Sequence, residues 1–544
     1  MEKRLILATV LMAALLIVYQ ALFSPAPAPP PVKAPPEAKP APPGRPLPLP
    51  PKVDRPPVVS QRTVSVEGPL FLATVGSDGG KLHEWVLRYR GDKSMIIPGT
   101  LGPGGLVLQR PQAGSETVAF SVKQERLVLG PDRPRGAVEL TGQDAFGLRV
   151  TETLGFQSQD FHIEVALRLE NRQGVPQAVE VLLPWSAPVK WPDGQKEGFQ
   201  GQHPTRVVWL SRGEVRREEL EKVADVTNEG RWVGLESEWY LAALIPLTPD
   251  FKVTTSKGAS GVIQIALRAT PPPLAPGQSW EGRALVYVGP KEYTRLKALE
   301  VGLEKSIHFG SFLWVLPMEW FAVPILWLMN FFYRHVPNYG VAIILLTVFT
   351  KILFYPLTVK SMASMKAMQA LQPQINALRA KHQKDAQRLQ RETMELYRKH
   401  KVNPMGGCLP MVIQIPIFYA LYVVFSLAVE LQNAVFLCVG TIFGVALWIC
   451  DLAQQDPTYV LPILMGISMF IQQKMTPTMG DPRQAKIMLL MPVVFTFMFL
   501  NLPAGLVLYW FVSNVLQILQ QYYLDRRARL AKVSDREAKE AQRV

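Results

Sequence analysis

The chain has 544 residues, 48% of them hydrophobic and 19% charged, with a formal net charge of +14. This length exceeds one ordinary domain, and the apolar residues concentrate at 5–23 and beyond Ser311, which argues against a single globular domain and indicates membrane spans joined to a soluble part. The lysines and arginines collect beside the apolar segments, so the charge indicates an anionic membrane face rather than nucleic acid. The cysteines are Cys408, Cys438 and Cys450. Because they all lie in the C-terminal part, the soluble part is expected to fold without disulfides.

Residues 1–24 are predicted to be an N-terminal membrane anchor. A basic start, Met1-Glu-Lys-Arg4, precedes the apolar run and places the N-terminus in the cytoplasm. A cleaved signal peptide is the alternative interpretation, but the run is long for one, and the prolines that follow it make a poor cleavage context. Residues 25–57 are rich in proline and alanine, which favours an extended spacer over a packed core.

Residues 58–293 are predicted to form a soluble antiparallel β-sandwich. Apolar and polar residues alternate along Phe161–Leu169, and similar short segments are separated by glycine and proline turns. The segment Gly76–Lys81 is not a phosphate-binding loop, because Val75 and Leu82 stand where the motif needs glycine and a hydroxyl residue. The histidines are scattered, and we expect them to be solvated rather than catalytic. They are His83, His162 and His203.

Residues 294–336 are predicted to connect this domain to the membrane part. Aromatic residues, among them Trp320 and Trp327, are frequent between Gly310 and Tyr333, and prolines interrupt the run. The pattern favours an amphipathic helix in the membrane interface over a span, because tryptophan prefers the depth of the headgroups.

Five short spans are predicted in the C-terminal part. Their ranges are 337–358, 406–430, 457–475, 486–501 and 504–523. The last apolar stretch, 487–519, would measure about 50 Å as one helix, which is too long for a hydrocarbon core of about 30 Å. A break at Asn501–Gly505 divides it into two spans and returns the basic tail, 524–544, to the cytoplasm.

The segments between these spans differ in charge. Residues 359–405 are strongly basic and carry apolar residues at spacings of three and four, which predicts a cytoplasmic hairpin of two helices. Residues 431–456 form a predicted external loop with an apolar run, 435–450, shorter than the about 20 residues that a helical span needs. Since the sequence has no lysine or arginine from Glu430 to Gln473, the run is predicted to be peripheral or re-entrant.

One lysine lies inside an apolar segment. Lys351 falls in the first of the five spans, where a charge costs roughly 2.5–3.5 kcal/mol on insertion scales and marks a candidate functional site. The alternative is that its flexible side chain snorkels past Pro356 to the inner surface.

Several motifs follow one another along the C-terminal part. They are Lys351–Thr358 (KILFYPLT), Leu371–Ile375 (LQPQI), Val402–Cys408 (VNPMGGC), Gln414–Phe418 (QIPIF), Gln455–Tyr459 (QDPTY) and Gly505–Trp510 (GLVLYW). In this order they resemble the YidC/Oxa1/Alb3 family of membrane protein insertases, in the Gram-negative form with a large periplasmic domain. The resemblance implies a multi-domain protein of the bacterial inner membrane, with an anchor helix, a periplasmic β-sandwich similar to sugar mutarotases, and an α-helical insertase core of five spans with a cytoplasmic hairpin.

The resemblance also implies an activity and a site. An insertase of this kind takes the polar end of a client into a hydrophilic groove that is open to cytoplasm and lipid, without catalysis, metal or cofactor. Lys351 matches the groove arginine of the family. Lysine carries its charge on one ammonium group and lacks the planar guanidinium that forms two parallel hydrogen bonds to a carboxylate. The implied groove residues are Lys351, Gln414, Thr347, Thr350 and Tyr509. The uncharged residues among them have an alternative role, since such residues commonly form interhelical hydrogen bonds.

The expected partners are nascent membrane-protein clients, the Sec translocon, membrane lipid, and the ribosome or targeting factors at the basic hairpin and tail. Simple solvation of the basic face is the alternative interpretation of the hairpin's charge. Two other classes of function stay open at this point. A small-solute transporter is expected to show inverted repeats and paired broken helices, which the sequence does not show. An envelope scaffold would use the β-domain to bind cell-wall sugars.

Overall fold

The computed structural model describes residues 62–90, 92–94, 102–103, 105–189, 204–228, 230–258, 261–312, 316–382, 385–442, 445–475 and 482–541. The predicted anchor at 1–24, the spacer at 25–57 and His203 lie outside these residues. The described residues fall into two compact units, one that ends at His308 and one that starts at Phe309.

The first unit consists mainly of β-strands. They are β1 (Thr63–Glu67), β2 (Phe71–Gly76), β3 (Leu82–Arg88), β4 (Asp92–Ser94), β5 (Gly102–Pro103), β6 (Val107–Arg110), β7 (Gly114–Thr117), β8 (Phe120–Val122), β9 (Arg126–Val128), β10 (Arg135–Gln143), β11 (Leu148–Gln157), β12 (His162–Asn171), β13 (Glu180–Pro188), β14 (Arg206–Ser211), β15 (Glu214–Glu219), β16 (Val226–Asn228), β17 (Trp232–Glu236), β18 (Tyr240–Pro246), β19 (Phe251–Lys257), β20 (Val262–Ala269) and β21 (Ser279–Pro290). A short helix, α1 (Tyr293–Ala298), and a 3-10 turn (Leu303–Ser306) follow.

These strands form a β-sandwich, as the sequence predicts. A nine-stranded sheet has the order β15-β14-β17-β18-β21-β12-β11-β10-β8, and its strands β17 and β18 pack on β19 and β20 of a second sheet, β16-β19-β20-β13-β6-β7, in which β5 also pairs with β13. A third sheet has the order β4-β3-β2-β1-β9. The pairing is antiparallel throughout these sheets apart from β1 with β9. The alternation along Phe161–Leu169 is confirmed, because Ile163, Val165 and Leu167 are buried while the residues between them are exposed.

The end of β12 departs from that alternation. His162 was expected to be solvated, but it is buried, with only 7% of its surface exposed. It pairs in register with Tyr287 of β21, and its Nε2 lies 3.4 Å from Nε2 of Gln157. Burial lowers the pKa of His162, because the imidazolium form loses its hydration.

A buried ion-pair cluster fixes the end of the first unit. Glu236 on β17 lies 3.2 Å from Arg217 Nε and 3.5 Å from Lys291 Nζ. Arg217 also donates to the backbone oxygens of Lys305 and Ser306, at 3.1 and 2.9 Å. The segment after β21 therefore belongs to the folded unit, because its Lys291 and the backbone oxygens of Lys305 and Ser306 are partners of buried charged side chains.

The second unit is mainly helical. Its elements are β22 (Ser311–Phe312), β23 (Leu316–Pro317), α2 (Glu319–His335), α3 (Tyr339–Ala370), α4 (Gln372–Lys381), α5 (Ala386–Lys399), α6 (Pro404–Leu427), β24 (Leu437–Ile442), β25 (Val445–Ile449), α7 (Val460–Met475), α8 (Pro482–Phe499) and α9 (Ala504–Ala541). Of the described helices, Tyr339–Ala370 is the one that is both long and apolar enough to cross a membrane by length and composition. Shorter apolar segments are Gln414–Leu427, Val460–Met475 and Leu489–Phe499.

Two helices are longer than the predicted spans. α3 has 32 residues, about 48 Å at 1.5 Å per residue, and passes position 358 without interruption. α9 has 38 residues, about 57 Å, and includes most of the predicted basic tail. Pro356 lies inside α3 and cannot donate to the carbonyl of Ile352, so the backbone ladder lacks one bond there.

The apolar run 435–450 forms a β-hairpin rather than a helix. Strands β24 and β25 pair antiparallel, with a bulge between Cys438 and Gly440. A disulfide joins Cys438 to Cys450, whose Cα atoms are 4.6 Å apart, and so closes the hairpin at its open end. β-Branched and aromatic residues in this run favour the strand conformation.

Candidate functional site

Lys351 lies in the first half of α3. The helix begins where the side chain of Asn338 accepts a hydrogen bond from Val341 N at 3.1 Å, which satisfies one of the free N–H groups at the helix start. From there an apolar sequence continues to Lys351, whose immediate neighbours Ile352 and Leu353 are 68% and 59% exposed. The lysine therefore lies in a helix whose outer surface is apolar.

Lys351 contacts a second long helix through a polar group. Its Nζ donates to Oε1 of Gln517 on α9 at 3.1 Å, and the lysine is partly buried. A neutral amide satisfies one N–H of the ammonium group but leaves its charge uncompensated. This contact brings a cation and a polar side chain together between α3 and α9.

The other residues implied by the sequence divide into two groups. Thr347 is fully buried and donates to Ile343 O of its own helix at 2.7 Å, and Thr350 donates to Thr347 O at 2.8 Å. The Tyr509 side chain on α9 is buried beside Thr350 of α3. Gln414 on α6 is exposed. The structure thus brings Lys351, Thr350 and Tyr509 to the packing of α3 with α9, and leaves Gln414 on an open face of α6.

The sequence analysis missed a polar stripe on α9. Asn514 donates to Ser468 Oγ of α7 at 3.2 Å, and Gln521 donates to Met475 O at 2.5 Å. Together with Gln517 these residues follow spacings of three and four, so they share one face of the helix. That spacing was readable in the sequence, but the average hydropathy of the segment concealed it.

The N-terminal ends of α3 and α9 are closed by polar and aromatic contacts. Tyr339 OH donates to Asn330 Oδ1 at 3.2 Å, and Asn330 Nδ2 donates to Glu430 Oε1 at 3.5 Å, which ties α2 to α3 and to the segment after α6. Phe436 packs directly on Gly340, where a Cβ would clash with its ring. Gly505 N at the start of α9 donates to Leu452 O at 2.9 Å.

Charged residues lie in the C-terminal parts of α3 and α9 and in the helical hairpin. Lys366 of α3 and Asp525 of α9 form an ion pair at 2.5 Å. In the helical hairpin, His382 and Arg388 both contact Glu392, at 3.0 and 3.1 Å. Most other basic groups of α5 are directed to solvent, so this end presents a positively charged surface.

The β-sandwich holds titratable side chains whose pKa values are shifted by burial. Burial raises the pKa of Glu152 to about 8, and no group in the described part of the chain donates to its Oε2. Burial also lowers the pKa of Lys291, although its neighbour Glu236 opposes the shift. Within the described residues, histidine, cysteine and acidic side chains form no cluster that could hold a metal ion.

Comparison with known proteins decides the family. The model described as the YidC periplasmic domain matches residues 64–328, and the model described as the 60Kd inner membrane protein matches residues 331–532. The membrane protein insertase YidC of Geobacter sulfurreducens is 38% identical over 546 residues, covering 97% of this chain and 98% of that protein. The chain belongs to the YidC family of membrane protein insertases.

A second relative agrees with this assignment. The YidC of Syntrophus aciditrophicus is 43% identical over 385 residues, covering 70% of this chain and 68% of its own. A crystal structure of an active YidC insertase with its first transmembrane domain resolved covers 87% of this chain and 95% of its own, at 20% identity and a TM-score of 0.37. As a member of the YidC family, the protein is an inner-membrane insertase with membrane proteins as its clients.

Proposed function

We propose that the contact between Lys351 and Gln517 marks the groove into which the polar part of a client enters the membrane. The proposal is carried by the 3.1 Å hydrogen bond between these two side chains, which joins a lysine in an apolar stretch of α3 to the polar stripe of α9. Polar groups at bilayer depth are retained where they serve a function or pair with each other. Gln414, Thr347, Thr350 and Tyr509 are proposed as further groove residues on the family resemblance.

The proposed topology has six spans. Residues 1–24 form the first, and α3, α6, α7, α8 and α9 form the other five, with both termini in the cytoplasm and the β-sandwich outside. The Cys438–Cys450 disulfide supports an outer location for the hairpin, because such bonds persist in oxidising compartments. The basic α5 supports a cytoplasmic location for the helical hairpin.

Two of the proposed spans are short. α7 has 16 residues and α8 has 18, about 24 and 27 Å at 1.5 Å per residue. Both fall short of a hydrocarbon core of about 30 Å, so the bilayer thins around them. A thinner and partly hydrated region lowers the cost of moving a polar backbone, which is several kcal/mol for each unsatisfied group in hydrocarbon.

The charge of Lys351 favours acidic clients. Because Gln517 is neutral, the ammonium group retains a net charge that attracts a carboxylate as the client leaves water. A pair about 4 Å apart at an effective dielectric constant near 20 has a Coulomb energy of roughly 4 kcal/mol before desolvation is subtracted. The membrane potential adds about 2.3 kcal/mol per charge for each 100 mV and draws the negative segment outward. The client then moves along an apolar face into lipid without covalent chemistry.

The proposed partners bind at different parts of the molecule. We propose that the basic hairpin and tail dock the ribosome or a targeting factor, and that the membrane part works alone or beside the Sec translocon. The exposed Arg398 and Lys399 on α5 support the first proposal, since clustered basic side chains attract nucleic acid and acidic protein surfaces.

The test is the insertion rate into proteoliposomes for clients that differ only in the charge of the translocated tail. Lys351→Arg is expected to insert near the normal rate, and Lys351→Ala to slow acidic tails more than neutral ones, by roughly ten- to a hundredfold. Lys351→Glu is expected to be the slowest with acidic tails. Gln517→Glu is expected to reproduce the effect of Lys351→Ala, because the new carboxylate neutralises a lysine that is still present.

Lys366→Ala is the matched control, since this lysine bridges the same two helices outside the apolar stretch. It is expected to leave the dependence on tail charge unchanged. If folded Lys351→Glu protein inserts every client at the normal rate, the charge plays no part in client entry.

A further inference from the structure

The β24–β25 hairpin presents an apolar face to its surroundings. Val435 lies two residues before β24, Leu437 and Val439 belong to it, and the three side chains are 53%, 43% and 76% exposed. The sequence has no lysine or arginine from Glu430 to Gln473 that could rim this face. Contiguous exposed apolar side chains mark a surface that contacts something other than water.

The root of the hairpin lies at the N-terminal ends of two long helices. Phe436 packs on Gly340, the second residue of α3, and Ala434 O accepts from Leu452 N at 3.1 Å. Leu452 O in turn accepts from Gly505 N, the second residue of α9. The hairpin therefore occupies the level at which the apolar part of α3 begins, whichever side of the membrane that end faces.

We infer that the exposed face of this hairpin contacts lipid at the boundary between acyl chains and headgroups of the outer leaflet. The inference rests on the proposed topology. Lipid fits this face because the side chains are apolar and lie level with the end of a membrane span. Since the face has no basic residue, the contact is apolar and does not depend on anionic headgroups.

The backbone limits the depth of the hairpin. Within the described part of the chain, β24 and β25 form a sheet of two strands, so each has an outer edge with N–H and C=O groups that need another partner. Such groups are too costly to place in dry hydrocarbon, where nothing pairs with them. The hairpin accordingly lies along the interface, where headgroups and water complete its outer hydrogen bonds.

The disulfide keeps the hairpin compatible with this position. A two-stranded hairpin is only marginally stable by itself, and an opened one would present all its backbone groups to lipid. The bond between Cys438 and Cys450 holds the strands paired, so the inner edge remains satisfied.

The test is photo-crosslinking of the full-length protein in phospholipid vesicles. A diazirine-bearing residue is placed at Val439, at Gln455 or at Ile352, and phospholipid adducts are measured by mass spectrometry. Gln455 is the matched control, because it is an exposed polar position in the same loop. Ile352 is 68% exposed on α3 and reports whether that helix lies in lipid.

The expected result is several-fold more lipid adduct at Val439 than at Gln455, with the same yield in zwitterionic vesicles and in vesicles with anionic lipid. Replacing Cys438 and Cys450 by serine is expected to lower the yield at Val439, whereas Cys408→Ser is not. Adduct at Ile352 without adduct at Val439, or crosslinks from Val439 to client protein alone, would overturn the inference and leave the topology standing. Failure at Ile352 would instead overturn the membrane placement of α3.

Discussion

Removal of the Cys438–Cys450 disulfide is expected to open the β24–β25 hairpin without unfolding the helices. The bond closes a loop with a sequence separation of 12. The chain-entropy relation gives about 3 kcal/mol for a loop of this size, roughly a hundredfold in the ratio of open to closed hairpin. The strands that remain pair over five registered positions, too few to be stable without the cross-link or the contacts at their root.

Hydrogen exchange followed by mass spectrometry measures this change. In the variant with Cys438 and Cys450 replaced by serine, amides of the hairpin that are paired across the strands are expected to exchange up to about a hundredfold faster. Amides in the buried first turns of α3 are expected to keep their rates. Cys408→Ser serves as the control, because that cysteine is not part of the bond.

Two outcomes would refute the reasoning. If the hairpin amides exchange at the same rate with and without the bond, the contacts of Phe436 with Gly340 and of Leu452 with Ala434 are sufficient to hold it. If α3 exchanges as fast as the hairpin, the bond stabilises the whole outer end rather than the hairpin alone. Proteolysis of the two variants provides an independent readout.

Three further outcomes are expected. A fragment of residues 62–308 is expected to unfold cooperatively on heating. A fragment of residues 62–290 lacks Lys291, so Glu236 loses a partner in the buried ion-pair cluster and the fragment is expected to be about 3–5 kcal/mol less stable. Equal melting temperatures of the two fragments, measured by circular dichroism, would contradict this. Between the unfolded pKa of Glu152, about 4.3, and its folded pKa of about 8, the folded domain holds a proton that the unfolded chain has lost. The free energy of unfolding of the longer fragment is therefore expected to fall by at most about 1.4 kcal/mol per pH unit as pH rises through that range. The Glu152→Gln variant is expected to lack this contribution. If denaturant titrations show the same dependence of the unfolding free energy on pH in both proteins, the expectation is refuted. A cysteine at Gln454, in a background without other free cysteines, is expected to react with an impermeant thiol reagent added from outside, and labelling only from the inner face would invert the proposed topology.

Much of the fold was predictable because its signals are local. The period of two along Phe161–Leu169 specifies a half-buried strand, and the structure has one there. The break at Asn501–Gly505 separates α8 from α9, because proline cannot continue the hydrogen-bond ladder. Lys351 was identifiable as a candidate because a charge in an apolar run is rare.

Other features depend on pairings that sequence distance does not reveal. Cys438 and Cys450 come together only when the chain between them turns back as two strands, and an apolar run of this length does not distinguish strands from a helix. Gln517 becomes part of the site only through the packing of α9 on α3. His162 is buried beside Gln157 of β11 and opposite Tyr287 of β21, neighbours that only the pairing of the strands supplies.

The continuity of α3 links the Lys351–Gln517 contact mechanically to the helical hairpin. Between position 351 and the helical hairpin, α3 runs to Ala370 as a single helix, and α9 runs beyond position 517 in the same way. A displacement of the helical hairpin would therefore move the end of α3, and the Lys366–Asp525 pair ties α3 to α9 between the hairpin and the Lys351–Gln517 contact. Within that length of α3, Pro356 removes one backbone hydrogen bond and so weakens the helix locally.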